Sequence, residues 1–160
     1  MAAPTYQSIG DHSEAIQIDF DPEVITYAEL LEEFFSSHNP CRASFSVQYR
    51  SAIFPHDEAQ TRAARAAALD VARMRGEPLV TDIEPFSGFT LAEDYHQKYR
   101  LRSERAVLAE FEALFPTMGE LLESTAVTRA NAFAGGHGKE LLEQDLPRLG
   151  LTEKTAARLR

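Results

Sequence analysis

Three kinds of side chain in this sequence could do chemistry on a small polar group. They are a carboxyl at Glu14, phenol hydroxyls at Tyr6 and Tyr49, and a thiol at Cys41. Glu14 stands just ahead of an apolar run, and burial against such residues raises a carboxyl's pKa and keeps it protonated as a proton donor. The plainer reading is a solvated loop carboxylate. A tyrosine hydroxyl either binds a ligand or sits at the surface above a packed ring. Cys41 is the single cysteine, so no intramolecular disulfide framework and no thiol metal cage is expected. Glu93-Asp94-Tyr95-His96 would place His96 one helical turn from Glu93, a pairing that buttresses; further metal ligands cannot be placed around it. Gly135-Gly136-His137-Gly138 follows a helical pattern and lacks a lysine-serine ending, so it reads as a helix terminus rather than a phosphate loop. No metal and no cofactor is called for.

Elements must hold these groups in place. The segment to Ser13 reads as loop, and Ile16, Ile18 and Phe20 alternate with polar residues over Ala15 to Phe20, predicting a half-buried strand. Thr26 and Glu29 form a capping box at the start of a helix reaching about Ser37, with Leu30, Leu31, Phe34 and Phe35 on one face. A loop leads to a short strand near Tyr49 to Phe54. Asp57 and Gln60 cap an alanine-rich helix that ends near Gly76, and Leu79 to Ile83 reads as a third strand. Leu91 to about Arg102 reads as helix. From Ser103 the strands stop, and helices are expected around Leu108 to Phe115, over Met118 to Phe133, and in two short pieces at Lys139 to Leu146 and Thr152 to Arg160.

Composition narrows the class. The chain has 160 residues, 44% hydrophobic and 26% charged, with a formal net charge of −9. The size suits one domain. The acidic balance argues against a nucleic-acid binder, because Arg62 to Arg75 is an alanine-spaced helix without interleaved aromatics. No signal-like or membrane-spanning segment is read, and the expected setting is soluble and cytoplasmic.

Three stretches, taken in order and spacing, resemble the peptide methionine sulfoxide reductase A family. The first is Pro4-Thr5-Tyr6 with His12-Ser13-Glu14-Ala15 and Phe20-Asp21-Pro22-Glu23-Val24-Ile25-Thr26-Tyr27. The second is His38-Asn39-Pro40 with Gln48-Tyr49-Arg50-Ser51-Ala52-Ile53, and the third is Ile83-Glu84 with Ala92 to Tyr99. The resemblance covers roughly residues 4 to 102. It implies thiol-dependent reduction of the S-epimer of methionine sulfoxide in peptides and proteins. A thiolate attacks the sulfur, methionine leaves, and the sulfenic acid left behind is resolved by a second thiol and then by thioredoxin. Glu14 falls on the family's acid, Tyr49 on one substrate-binding tyrosine and Tyr6 on the other. The family's Gly-Cys-Phe-Trp turn is not matched, and Ser44 stands where the family has an aspartate.

The implied fold is α+β, a mixed sheet with a ferredoxin-like split β-α-β core, lacking its N-terminal strand and helix and carrying a C-terminal helical extension. Residues 1–102 form the reductase-like domain and 103–160 the extension. The chain is expected to begin beyond the catalytic turn, through a truncated reading frame or as a natural pseudoenzyme. An edge left open in that way calls for a second copy or a complementing chain. Cys41 is either an inert thiol or a relocated nucleophile activated by Arg42 or His38. Expected partners are methionine-sulfoxide peptides or proteins, and thioredoxin if the chain is active. The alternative is an inactive module that binds oxidised methionine.

Overall fold

A computed structural model describes Gly10 and residues 12–160. Tyr6 lies outside the described residues. The chain divides into two compact units, one ending at Leu91 and one spanning Ala92–Arg160, so the division falls ahead of the change in sequence pattern at Ser103.

In the first unit, α1 (Tyr27–Ser36) begins where the capping box places it. The Glu29 amide donates to Thr26 Oγ1 at 3.2 Å, and the Thr26 amide donates back to Glu29 Oε2 at 2.7 Å. Helix α2 (Glu58–Arg75) is capped by Asp57, whose carboxylate accepts from the Gln60 amide at 2.7 Å. It ends at Gly76, whose φ of 71° is left-handed and favours glycine. Leu31 and Phe35 of α1, Ala64 of α2 and the prolines Pro40 and Pro55 are the buried apolar residues of this unit among those described. Ala64, with no side chain beyond Cβ, lets the two helices approach closely.

The sheet is small. Strands β1 (Ala52–Ile53) and β2 (Asp82–Ile83) pair in parallel, with Ala52 opposite Asp82 and Ile53 opposite Ile83. The ladder extends past both strands: the amides of Asp82, Glu84 and Phe86 donate to the carbonyls of Ser51, Ile53 and Pro55 at 3.0, 3.1 and 3.0 Å. Even spacing of this kind is the mark of a parallel pair.

Several expectations need correction. Ala15 to Phe20 is not a strand: Ile16 is 83% exposed and Ile18 51%. Alternation forms a strand only when a neighbour accepts its ladder, and among the described residues neither strand pairs with this segment. The sheet is therefore two parallel strands among the described residues rather than a mixed sheet, and the α+β character is carried mainly by seven α-helices.

Leu91 to Arg102 is not an α-helix either. Short 3₁₀ turns at Asp94–His96 and Leu101–Ser103 flank Lys98, whose φ is +48°. Side chains take the carbonyls a helix would use: Arg102 donates to the Gln97 and Asp94 carbonyls, and Gln97 Nε2 to the Ala92 carbonyl at 2.9 Å. Leu101 then plugs the core of the second unit.

That unit carries most of the buried apolar surface. Its helices are α3 (Arg105–Leu114), α4 (Met118–Glu123), α5 (Thr125–Ala134), α6 (Leu142–Asp145) and α7 (Glu153–Ala156). The expected single helix from Met118 to Phe133 is broken at Ser124, which caps α5 by accepting from the Val127 amide at 3.3 Å. Phe111, Leu101, Leu159, Val107 and Val127 are fully buried in one cluster. Each such burial contributes about 1.5–3 kcal/mol. Among the described residues no helix is long and apolar enough to cross a membrane.

Helix α7 is tied to α3 through Glu110. Its carboxylate accepts from the Thr152 amide at 2.5 Å and from Thr152 Oγ1 at 3.1 Å. Hydrogen bonds from the Thr155 hydroxyl and the Thr152 amide hold its pKa below the usual glutamate range. A depressed carboxyl stabilises the fold above its unfolded pKa of about 4.3 and loses that contribution as pH falls through its folded value. Glu110→Gln is therefore expected to lower the urea midpoint at pH 7, with the gap to the parent protein closing below about pH 4. A gap that stays constant with pH would refute this role.

Candidate functional site

Ser13 and Glu14, Gln48 to Ser51, and Glu84 meet at the start of β1. Glu14 reaches this place through one backbone and one side-chain contact: its amide donates to the Gln48 carbonyl at 2.8 Å, and Gln48 Nε2 donates to Glu14 Oε1 at 2.7 Å. Ser13 Oγ donates to the Val47 carbonyl at 3.0 Å. The carboxyl of Glu14 thus sits beside the 3₁₀ turn Val47–Tyr49 that carries Tyr49. Both residues are exposed, Tyr49 by 43%, so Glu14 is not in the apolar setting that its acid role invokes. Phe45, 89% exposed, packs its ring against Tyr49 with centroids 5.3 Å apart.

One arginine locks the neighbourhood. Arg50 donates from Nη1 to Glu84 Oε1 at 2.6 Å and from Nη2 to Glu84 Oε2 at 3.0 Å, a two-point fork. It also donates from Nη1 to Asp82 Oδ2 at 3.0 Å and from Nε to Ser13 Oγ at 2.8 Å. The guanidinium holds Glu84 below the usual glutamate range, chiefly through that hydrogen bond. The segment before β1, the strand β2 and the loop bearing Glu14 are joined through one side chain.

His38 makes a second brace. Its Nδ1 lies 2.8 Å from the Phe34 carbonyl, which can only accept, so Nδ1 is the protonated nitrogen of the neutral ring. Nε2 is then free to accept from Ser51 Oγ at 2.8 Å, and Ser51 Oγ lies 2.9 Å from Thr81 Oγ1. This chain links the end of α1 to β1 and to the approach to β2. Beside it opens a cavity of about 290 Å³ lined by Ser44, Ser46, Val47, Arg50, Ser51 and Asp82. The Ser46 hydroxyl is buried there without a partner among the described residues.

Cys41 is not activated by Arg42 or His38. Its thiol faces Glu77, and partial burial together with the hydrogen bond to the Glu77 carboxylate and its charge pushes the pKa up, with Arg75 a smaller opposing influence. Since the thiolate is the nucleophile, this environment suppresses reactivity. His96 and Glu93, in the second unit, approach to 4.0 Å across a 3₁₀ turn rather than along an α-helix.

Sequence reasoning missed the Arg50 fork, the His38–Ser51–Thr81 chain and Glu77. Asp82 and Glu84 are two apart at β2 and its end, a spacing that puts both on one face and that the sequence reading did not use. Nothing local tied them to Arg50.

An α+β unit that brings a carboxyl, a phenol and a braced β1–β2 core together is the class of molecule described so far. Comparison narrows it. The sequence model of the family "Peptide methionine sulfoxide reductase" matches residues 1–114, and the chain belongs to that family. A peptide methionine sulfoxide reductase of Drosophila melanogaster is 37% identical over 152 residues, covering 93% of this chain and 61% of that protein. A peptide methionine sulfoxide reductase MsrA of Deinococcus radiodurans is 42% identical over 107 residues, covering 60% of this chain and 52% of its own length. A crystal structure of Mxr1 from Saccharomyces cerevisiae in an unusual oxidized form shares 38% identity at a TM-score of 0.42, covering 50% of this chain and 47% of that one. The chain thus spans about half to three-fifths of the length of these relatives. The family match ends at Leu114, the last residue of α3. The Drosophila match covers too much of the chain to stop there and includes most of the helices beyond.

Two outcomes are expected. Replacing Glu77 with Gln should speed alkylation of Cys41 by iodoacetamide several-fold at neutral pH and move its pH profile downward; an unchanged profile would show that Glu77 does not hold the proton. Arg50→Ala should lower stability by about 1–2 kcal/mol, with Arg50→Lys recovering less than half because an ammonium cannot form the fork. Full recovery by lysine would reduce the clamp to simple charge.

Proposed function

We propose that this chain is the part of a methionine sulfoxide reductase that recognises the oxidised side chain, and that the attacking thiol of the full reaction is not Cys41. The observation that supports this reading is the pair of hydrogen bonds between Glu14 and Gln48, the residue that precedes Tyr49. Glu14 is then the proton donor to the sulfoxide oxygen and Tyr49 a hydrogen-bond donor to it, with Tyr6 as the second phenol. The substrate is methionine S-sulfoxide in peptides or proteins. In the full reaction a thiolate attacks the sulfoxide sulfur, the oxygen passes to that thiol as a sulfenic acid, and methionine departs as the thioether. A dithiol such as thioredoxin then supplies the two electrons that restore the thiol.

The 160 residues hold a single thiol, and burial, with Glu77 beside it, pushes its pKa up. A reducing cysteine would therefore come from a longer chain or a complementing one, whose strand and helix would complete a ferredoxin-like split β-α-β sheet. Two features support an open position for such a segment: the alternating residues Ala15 to Phe20 lie outside regular secondary structure with Ile16 and Ile18 exposed, and the sheet stops at two strands among the described residues. A second reading draws on the Phe45–Tyr49 ring pair. An exposed aromatic pair beside a carboxyl offers a surface for the sulfoxide methyl group, which would make the chain by itself a binder of oxidised methionine.

The test uses a short peptide bearing methionine S-sulfoxide with dithiothreitol as reductant. The expected result is saturable binding, weakened about tenfold or more by Tyr49→Phe together with Glu14→Gln, and no turnover by either the chain or its Cys41→Ser variant. Turnover abolished by Cys41→Ser would overturn the assignment of the thiol. Equal affinity for the sulfoxide and thioether peptides would overturn the site.

A further inference from the structure

The second unit holds a cleft that the reductase site leaves unused. It lies between α5 and the turn that runs from Gly138 through α6 to Arg148, with a volume of about 280 Å³. We propose that this cleft binds a carboxylate carrying a short apolar tail. The inference is independent of the function assigned to residues 1–91.

The floor is apolar. Ala132 and Phe133 come from α5, and Leu141, half exposed, comes from the turn that follows Gly138. Gly138 has a φ of 65°, a left-handed value, and a Cβ placed there would stand 3.5 Å from Phe133 Cε1. Glycine at this position satisfies the turn and adds no side chain to the cleft beside Phe133, a residue 4% exposed.

The rim is cationic. Arg129 is held by Asp145, whose carboxylate is 4% exposed as a residue and accepts from Nη1 at 2.7 Å. Burial of the acceptor fixes the guanidinium in place, and its other N–H groups have no partner among the described residues. Arg148 lines the same cleft, is exposed, and makes no hydrogen bond or ion pair among the described residues. By contrast Arg158 and Arg160 are taken up by Glu104 and Glu143.

Counting charges selects the ligand. Two guanidinium groups face one carboxylate, which leaves a single positive charge at the rim of a chain whose net charge is −9. A monoanion satisfies it. A second negative charge on the ligand would face Asp145 without compensation, and a cation would face two guanidinium groups. A planar carboxylate accepts two parallel N–H groups from an arginine, which a spherical halide cannot do. The volume holds one side-chain-sized apolar group rather than a nucleotide or a long acyl chain, so the affinity expected is that of a fragment, roughly millimolar. The carboxylate has two sources with the same chemistry: a small free acid, or an acidic residue next to an apolar one in a peptide.

The test is a titration of the ¹⁵N-labelled full chain followed by amide shifts. The probes are 4-phenylbutyrate, its uncharged amide, and the blocked dipeptide acetyl-Leu-Glu-amide. Saturable shifts confined to Ala132, Phe133, Gly138, Leu141 and Arg148 are expected with 4-phenylbutyrate, and the amide should bind about tenfold more weakly. Arg148→Gln should weaken the acid by about the same factor, and Leu141→Ser should weaken acid and amide alike, both with unchanged shifts elsewhere. Dipeptide binding as tight as that of the acid would support the site and identify a peptide as its ligand. Dipeptide binding that is much weaker would support it and point to a small acid. The proposal fails if no saturable shift occurs up to about 20 mM, if acid and amide bind equally, or if Arg148→Gln changes nothing.

Discussion

The first unit depends on the guanidinium of Arg50. Buried apolar side chains are few there, and the β1–β2 pair is too short to stand on backbone hydrogen bonds alone. Arg50 supplies what the sheet lacks. Its fork on Glu84 and its contact with Asp82 hold the two strands in register from the side, and its Nε fixes Ser13, next to Glu14. A charge partly shielded from water and met by two carboxylates and a hydroxyl is satisfied on every side, which a lone surface pair would not be. The position of the candidate acid therefore follows from a contact made by its neighbour in sequence.

How much of this was legible depended on range. The ends of α1 and α2 were readable because caps are local: Thr26 with Glu29, Asp57 with Gln60, and the left-handed Gly76 lie within a turn of what they satisfy. Ser124 carried a local signal as well, but it was hidden inside an apolar periodicity that continues through it. Ala15 to Phe20 has the alternation of a strand and no strand beside it among the described residues. The segment around Lys98 has helical spacing, yet Arg102 and Gln97 draw its carbonyls into turns. Both failures have one cause: a periodic pattern states which face wants burial and does not state who will cover it.

The surroundings of the candidate site were not legible in the sequence. Glu14 is hydrogen-bonded to Gln48, the residue before Tyr49, while Cys41 is shaped by burial and by Glu77, far away in sequence. His38, the expected activator, is already committed to Phe34 and Ser51, and the fold brings Glu77 to the thiol instead. Electrostatic environment is a tertiary property, and a charged neighbour in sequence is a poor guide to it.

The uneven division of apolar surface between the two units has a calorimetric meaning. Heat capacity rises on unfolding in proportion to the apolar area released and falls with the polar area. The second unit, closed around Phe111, Leu101 and Val127, carries most of that increment. The first, held by ionic forks and hydroxyl chains, carries little, so its free energy changes more nearly linearly with temperature and its cold limit lies further away.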